Sequence, residues 1–249
     1  MAALPRMLVT AGNTLTPIDA VRGITNVFTG RTGARIAAEA TVEGYDVELL
    51  TSKPNVVEDT VVDYSKLTLT EYRTFDDLAE LMEGRVRRGG FDVIVHAAAV
   101  SDYHCAAVFE PAPEVKIAED GTASSPSMRL FQPVGASKKV SSRHSELWLR
   151  LVPTTKLIDQ IRRPWGFTGV LVKFKLEVGV DDEELIRRAQ AALVQSEADL
   201  VVANTLEARL ERAYFVTEDS TQTIERSRLP SRLIAFINEL RETRSSRIR

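Results

Sequence analysis

The chain has 249 residues, 44% of them hydrophobic, a formal net charge of −3 and a single cysteine, Cys105. That fits one soluble domain with a full core (1–249), and the interspersed charge argues against a general nucleic-acid surface. One cysteine excludes an intrachain disulfide framework and a cysteine-rich metal site, and no apolar run reaches the roughly 20 residues that span a membrane. The start, MAALPRMLVTAG, has no signal-peptide hydrophobic region, so a reducing cytoplasm is expected.

In chain order, the apolar run ending at Leu8 and Val9 reads as a strand. A loop follows with Gly12, Asn13, Thr14, Asp19, Arg22, Asn26, Thr29, Gly30, Arg31 and Gly33, and then a helix from Ala34 to Glu43 and a strand from Tyr45 to Leu50. Strand, Gly/Thr/Asn-rich loop and helix start make an anion-binding arrangement, because unpaired N–H groups and the helix dipole face the loop. The spacing is neither that of a Walker A motif nor that of the dinucleotide fingerprint, and a bare GxxG is also compatible with an ordinary turn.

Val61 to Leu69 is β-rich. Thr74 is placed to cap a helix over Phe75 to Arg87, with Asp76 and Asp77 in its first turn. Phe91 to His96 reads as a buried parallel strand ending in HAAAVSDY, His96 to Tyr103. Ligands of open α/β sheets sit beyond strand carboxyl ends, and the small side chains of Ala98 and Ala99 admit a ligand to the backbone. Asp102 suits a ligand amine, a metal or a turn cap. His96 reads better as a hydrogen-bonded core histidine than as a metal ligand.

After Asp102 the alternation weakens, and Ala118 to Ser137 reads as a loop. Lys116, Lys138 and Lys139 bracket it, and a lysine on a mobile segment can close over a phosphate. Glu146 to Leu151 recovers a period of two, Thr154 to Ile161 suits a short helix, and Gly169 to Leu176 is a strand. Lys173 and Lys175 share a face of it and are expected to meet solvent or an anion. Asp181 can cap a helix from Asp182 to Gln195; DLVVAN ends at Asn204 on the ligand side; Ala213 to Thr217 and Thr221 to Glu225 suit a hairpin. Pro230 begins a final helix, with a charged tail from Arg241 expected to fray. Alternating strands and helices argue an α/β fold with a three-layer sheet.

The sequence resembles the phosphopantothenoylcysteine synthetase family, also called phosphopantothenate–cysteine ligase. The resemblance rests on VTAGNT (Val9–Thr14), PID (Pro17–Asp19), VR (Val21, Arg22), ITN (Ile24–Asn26), FTGRTG (Phe28–Gly33), HAAAVSDY, KVSS (Lys139–Ser142), FKLE (Phe174–Glu177) and DLVVAN (Asp199–Asn204). They follow the family's order over nearly the whole chain, in what looks like the stand-alone form of the ligase domain. The resemblance implies a Rossmann-like, mostly parallel sheet with a β flap, here 116–151, used for homodimerisation. It implies activation of the 4′-phosphopantothenate carboxylate by a nucleoside triphosphate with Mg²⁺, CTP being the first expectation and ATP the second. Cysteine then displaces the nucleotide. The protein's partners would be these small molecules, with no nucleic acid and no membrane.

Asn26 falls on the family asparagine that supports breakdown of the acyl nucleotide. The flap lysine is Lys139, which has the better flanks, or Lys116, which has the bacterial spacing. The resemblance carries nucleotide or phosphate binding to Gly12, Asn13, Thr14, Thr29, Gly30, Gly33, Ala98, Ala99, Asp102, Phe174 and Asn204, and substrate binding to Arg22, Asn26 and Ala99. The metal-holding residues stay unassigned. Asn13 replaces a family glycine, and Phe28 and Thr29 replace two serines. These departures leave room for a nucleotide-binding relative without ligase activity. A short-chain oxidoreductase is disfavoured, since the only tyrosine after Tyr103 is Tyr214, and residue 218 is glutamate rather than lysine.

Overall fold

Successive residues of the first strand, β1 (Arg6–Ala11), feed different cores: Met7, Val9 and Ala11 join one cluster and Leu8 another. That is the period of a strand buried on both faces. The computed structural model describes residues 4–57, 62–126, 128–135 and 139–248. After β1 come a small hairpin, β2 (Leu15–Pro17) and β3 (Gly23–Thr25), then α1 (Arg31–Val42), β4 (Asp46–Thr51), β5 (Leu67–Glu71), α2 (Phe75–Arg88) and β6 (Val93–His96). Next are β7 (Tyr103–Pro111), β8 (Lys116–Ile117), β9 (Ala123–Ser124), β10 (Phe131–Val134), β11 (Trp148–Pro153) and α3 (Leu157–Ile161). The chain returns through β12 (Val170–Glu177), α4 (Asp182–Ser196), β13 (Leu200–Thr205), β14 (Arg212–Val216), β15 (Thr221–Glu225) and α5 (Leu229–Ile248).

The main sheet has eight strands in the order β15-β14-β13-β12-β6-β1-β4-β5. The pairings from β13 through to β5 are parallel, while β14 and β15 add an antiparallel edge. The fold is therefore mixed α/β with a large, mostly parallel sheet. Ile36 of α1 and Leu233 and Ile237 of α5 pack with Met7, Val9, Val172 and Val202. Leu78 and Met82 of α2 and Ile161 of α3 pack with Leu8, Ile94 and Leu171. Leu185 and Ala189 of α4 cover Val201 and Ala203. The helix ends follow local chemistry. Thr74 and Asp77 close a reciprocal capping box on α2, and the Asp181 carboxylate accepts the Glu184 N–H at 2.8 Å on α4.

Several sequence expectations need correction. The β5 strand begins at Leu67, because a 3-10 turn over Tyr64–Lys66, capped by Asp63, occupies the residues before it; Val61 lies outside the described residues. The weakly patterned stretch after Asp102 is a nine-residue strand, β7, paired antiparallel with β10 and β11. It is half-covered on both faces and so lacks clean alternation. This antiparallel sheet begins ahead of Lys116. Lys173 does not simply meet solvent: its Nζ donates to the Ala192 carbonyl at 3.3 Å, and Lys175 pairs with Glu177 at 2.8 Å. Burial lowers the Lys173 pKa.

The charged tail does not fray at Arg241. It extends α5, because Arg241 donates to the Tyr45 hydroxyl and Arg244 reaches Asp199 and the Gly169 carbonyl. Asp199 is thereby a structural lock at the amino ends of the strands. Its carboxylate accepts from Arg162 at 2.6 Å, from the Leu171 N–H at 2.7 Å and from Arg244 at 2.5 Å. Removing it strands Arg162, whose side chain is only 10% exposed. Asp199→Ala is expected to cost about 3 kcal/mol, read as a lower urea midpoint with an unchanged slope.

Candidate functional site

Three backbone segments converge where β1 and β6 end. The first is the turn after β1. Gly12 has φ +89°, and a Cβ there would lie 2.3 Å from Ser52 Oγ. The second is the start of α1. Gly30 is its N-cap at φ +77°, and a Cβ there would lie 2.7 Å from the Gly12 nitrogen. Only glycine permits this approach. The third is the turn after β6, whose Ala99 N–H donates to the Gly12 carbonyl at 2.8 Å. Gly33 serves packing instead, its Cα side pressed on Ala11.

Side chains stitch the segments together. The Asn13 amide donates to the carbonyls of Asn26 at 2.5 Å and Phe28 at 3.2 Å, and its oxygen accepts from Ser52 Oγ at 3.1 Å. Asn13 therefore shapes the loop, a task the glycine it replaces has no side chain to perform. Thr14 Oγ1 accepts the Ser101 N–H at 2.8 Å and donates to Ser101 Oγ at 3.0 Å. The Asn26 amide reaches across to the Ala99 carbonyl at 3.0 Å and the Val100 carbonyl at 3.4 Å. Ala98 N–H is used by Thr10 Oγ1 at 3.2 Å. The amides of Ala98 and Ala99 are thus engaged within the protein.

A cleft of about 430 Å³ opens beside this junction, lined by Asn13, Asn26, Phe28, Thr29, Arg31 and Lys53 among others. Arg31 was named in the glycine-rich loop but given no ligand role, and Lys53 was missed by sequence reasoning. Arg31 is the first residue of α1, next to the GxxG element, and Lys53 follows β4 by two residues. Their signal was available: both fall at the carboxyl end of the sheet. The start of α1 differs in charge from the starts of α2 and α4. α2 and α4 carry acids in their first turns, Asp76 and Asp77 in one and Asp182, Glu183 and Glu184 in the other. The first turn of α1 has no acid and begins with an arginine. Like charge on the positive helix end is unfavourable until an anion arrives.

The remaining candidates spread outward from the junction. Asp102, in the turn after β6, forms an ion pair with Lys156. Phe174, on β12, lies one residue beyond the end of β6, and Asn204 is the penultimate residue of β13; both stand at the carboxyl side, on strands next to β6 and next but one. Asn26 and Asn204 fall at the same end of the sheet. Lys116 is exposed in the separate β8–β9 ribbon. Lys139 is exposed as well, but its neighbour Val140 is held against the β2–β3 turn by Asp19 and Arg22. Lys138 lies outside the described residues. No group of three or more His, Cys, Asp or Glu side chains suited to a metal occurs among the described residues.

Over residues 3–125 the chain matches the family model described as the DNA/pantothenate metabolism flavoprotein C-terminal domain. It is 36% identical over 208 residues to the coenzyme A biosynthesis bifunctional protein CoaBC of Thermococcus kodakarensis, spanning 82% of this chain and 42% of that protein. Against CoaBC of Methanocaldococcus jannaschii the figures are 27% over 201 residues, 81% and 40%. The solved DNA/pantothenate metabolism flavoprotein of Streptococcus pneumoniae matches with a TM-score of 0.76 and 28% identity, covering 96% of this chain and 100% of that one. The chain belongs to the phosphopantothenoylcysteine synthetase family. It spans less than half the length of the two CoaBC relatives. A solved Cab2 structure, with a TM-score of 0.70 and 18% identity over 98% of this chain and 88% of that one, shares the fold.

His96 is the hydrogen-bonded core histidine the sequence favoured. Its Nδ1 meets Thr10 Oγ1 at 2.8 Å, and burial with the nearby Lys173 charge pushes its pKa down to about 4. The unfolded chain, with an ordinary histidine pKa near ~6.5, binds a proton that the native ring refuses. Stability from this group is therefore complete above pH ~6.5 and is lost as pH falls toward about 4. The loss is at most about 3 kcal/mol. The urea midpoint should drop between pH 7 and pH 5 in the native protein and drop less in His96→Gln.

Proposed function

We propose that the protein joins 4′-phosphopantothenate to cysteine through an acyl-nucleotide intermediate made from a nucleoside triphosphate, a step of coenzyme A biosynthesis. The observation that carries this reading is the cleft at the carboxyl ends of β1 and β6. There Asn26 spans two loops beside an acid-free helix start with two cations, Arg31 and Lys53. Membership in the family supports it. So does the related Cab2 fold, solved as a variant in complex with phosphopantothenate-cysteine.

The chemistry suits these groups. A carboxylate is a poor electrophile until one oxygen becomes part of a phosphate leaving group. Arg31, Lys53 and the α1 start supply positive potential for substrate phosphates, and a flap lysine closes on the triphosphate. Asn26, fixed through its amide, is rigid enough to stabilise the acyl oxygen as charge develops there during cysteine attack. Phe174 and Asn204 flank the nucleotide. Mg²⁺ fits as an ion carried on substrate phosphates, since such ions keep most of their waters and need only one or two protein carboxylates; Asp102 is the acid in the turn after β6. When bound it would offset phosphate charge. CTP is the first candidate nucleotide and ATP the second.

The antiparallel sheet β10-β7-β11 is the flap in this reading. It exposes Tyr103, Trp148 and Leu151, and a small sheet with an apolar side gains from pairing with a second copy. Sedimentation at micromolar concentration should give a dimer; a monomer alone would refute this assembly.

The deciding assay measures pyrophosphate release with phosphopantothenate and either CTP or ATP, with and without cysteine. Asn26→Ala should keep release but lose product formation by about 10²–10³-fold, because the residue acts in the second half-reaction. Lys139→Ala should impair release itself. Loss of release in Lys116→Ala, but not in Lys139→Ala, would reverse the lysine assignment. Neither binding nor consumption of either nucleotide would end the ligase reading. Binding without turnover would identify a non-ligating relative, with Asn13 and Phe28 the first residues to revert.

A further inference from the structure

The Asp19 carboxylate has an unusual division of labour. Its side chain is fully buried although Arg22, its partner, is 41% exposed. Oδ1 accepts the N–H groups of Val21 and Arg22, both at 2.9 Å, and so closes the local turn between β2 and β3. Oδ2 looks elsewhere. It accepts from Arg22 Nε at 2.9 Å, from Arg22 Nη2 at 2.6 Å and from the Val140 N–H at 3.0 Å, 121 residues along the chain. The same Arg22 Nη2 donates to the Val140 carbonyl at 2.6 Å.

Both backbone groups of Val140 are therefore gripped by one Asp–Arg pair. The grip is local. Val140 is 2% exposed, whereas Lys139, Ser141, Ser142 and Arg143 are exposed. Nothing in an apolar side chain at one point of a polar run explains two charge-assisted backbone bonds; they fix the path of the chain at that residue. On the other side, β3 ends at Thr25, directly before Asn26, and Thr25 Oγ1 donates to the Thr14 carbonyl at 2.9 Å. The hairpin thus runs rigidly from Asn26 in the cleft to the Val140 backbone.

We propose that Asp19, acting with Arg22, is a positioning residue: it clasps the Val140 backbone and thereby holds Lys139 in register with Asn26. The role of that register rests on the ligase reading given above. The clasp itself does not. Asp19 touches no substrate in this scheme. It acts through Lys139, and it is why Lys139 rather than Lys116, on its separate ribbon, is tied to the cleft.

Asp19→Asn isolates the clasp. Asparagine keeps one oxygen for the Val21 and Arg22 N–H groups but turns an amide toward Arg22 and the Val140 N–H, setting donors against donors. Two readouts are compared with the native protein. The first is trypsin cleavage of the Lys139–Val140 bond under native conditions, followed by mass spectrometry. The native bond should resist, and Asp19→Asn should raise its cleavage rate about tenfold or more, with cleavage after Lys116 unchanged. The second is nucleotide-dependent pyrophosphate release. Asp19→Asn should lower it by about 10–10²-fold and add no further loss in a Lys139→Ala background, because the two act as one unit.

Native cleavage at Lys139–Val140 as fast as after Lys116 overturns the clasp. Full release by a folded Asp19→Asn protein that has lost its protection overturns the positioning role, as does an undiminished effect of Asp19→Asn when Lys139 is already alanine. If Asp19→Asn does not fold, Arg22→Lys, which keeps the charge but loses the fork to Asp19 and Val140, carries the same two readouts. A native protein that releases no pyrophosphate with CTP or ATP fails the ligase reading and the positioning role with it, while trypsin still judges the clasp by itself.

Discussion

The Gly30 backbone rests on the Gly12 backbone so closely that one added carbon would sit 2.7 Å from the Gly12 nitrogen. Everything at the cleft depends on that contact. It sets the start of α1 directly above the end of β1, and it forces the intervening chain outward as the β2–β3 hairpin and the Asn26 loop. Two positive-φ glycines and no side-chain cap leave the first N–H groups of α1 uncovered by the protein's own acids. The α2 and α4 helices satisfy those groups with capping side chains and acidic first turns. The uncapped start of α1 lies at the cleft, which is what an anion site built from backbone geometry requires.

Much of the parallel sheet was legible in the sequence. Strands buried on both faces appear as unbroken apolar runs, and FDVIVH and DLVVAN are such runs. Helices α2 and α4 announced themselves through Thr74 and Asp181 and the acids after them. The strand β7 was hidden for a physical reason: a half-covered strand in a small antiparallel sheet has neither a continuous apolar run nor strict alternation. The end of α5 was hidden too, because a string of arginines reads as solvated until the carboxylate and hydroxyl that receive them, Asp199 and Tyr45, are known in space.

For the site, the loops that carry Gly12, Asn26 and Ala99 were legible, since turn residues and strand ends mark them. The division of roles among their side chains was not. Asn13 reads from sequence as a possible ligand contact, but its amide is committed to two loop carbonyls. Lys53 gave no motif at all and enters only because β4 ends beside β1. Long-range hydrogen bonds such as that between Asp19 and Val140 leave no local trace in composition or periodicity.

The docking of α5 has a consequence for how the chain reaches this state. Tyr45, at the start of the second strand of the sheet, is joined to Asn238 across 193 residues, and Arg226 likewise reaches Thr32 in the first turn of α1 across 194. The β1–α1–β4 unit leaves the ribosome well before α5 does. Its face bearing Ile36, Ala37 and Ala40 shares a core with Leu233 and Ile237, which emerge about 190 residues later. Throughout synthesis that face stays open, and a topology of such sequence-distant contacts closes slowly. The unit that carries the cleft is therefore completed only when α5, the helix farthest from it in sequence, docks on α1.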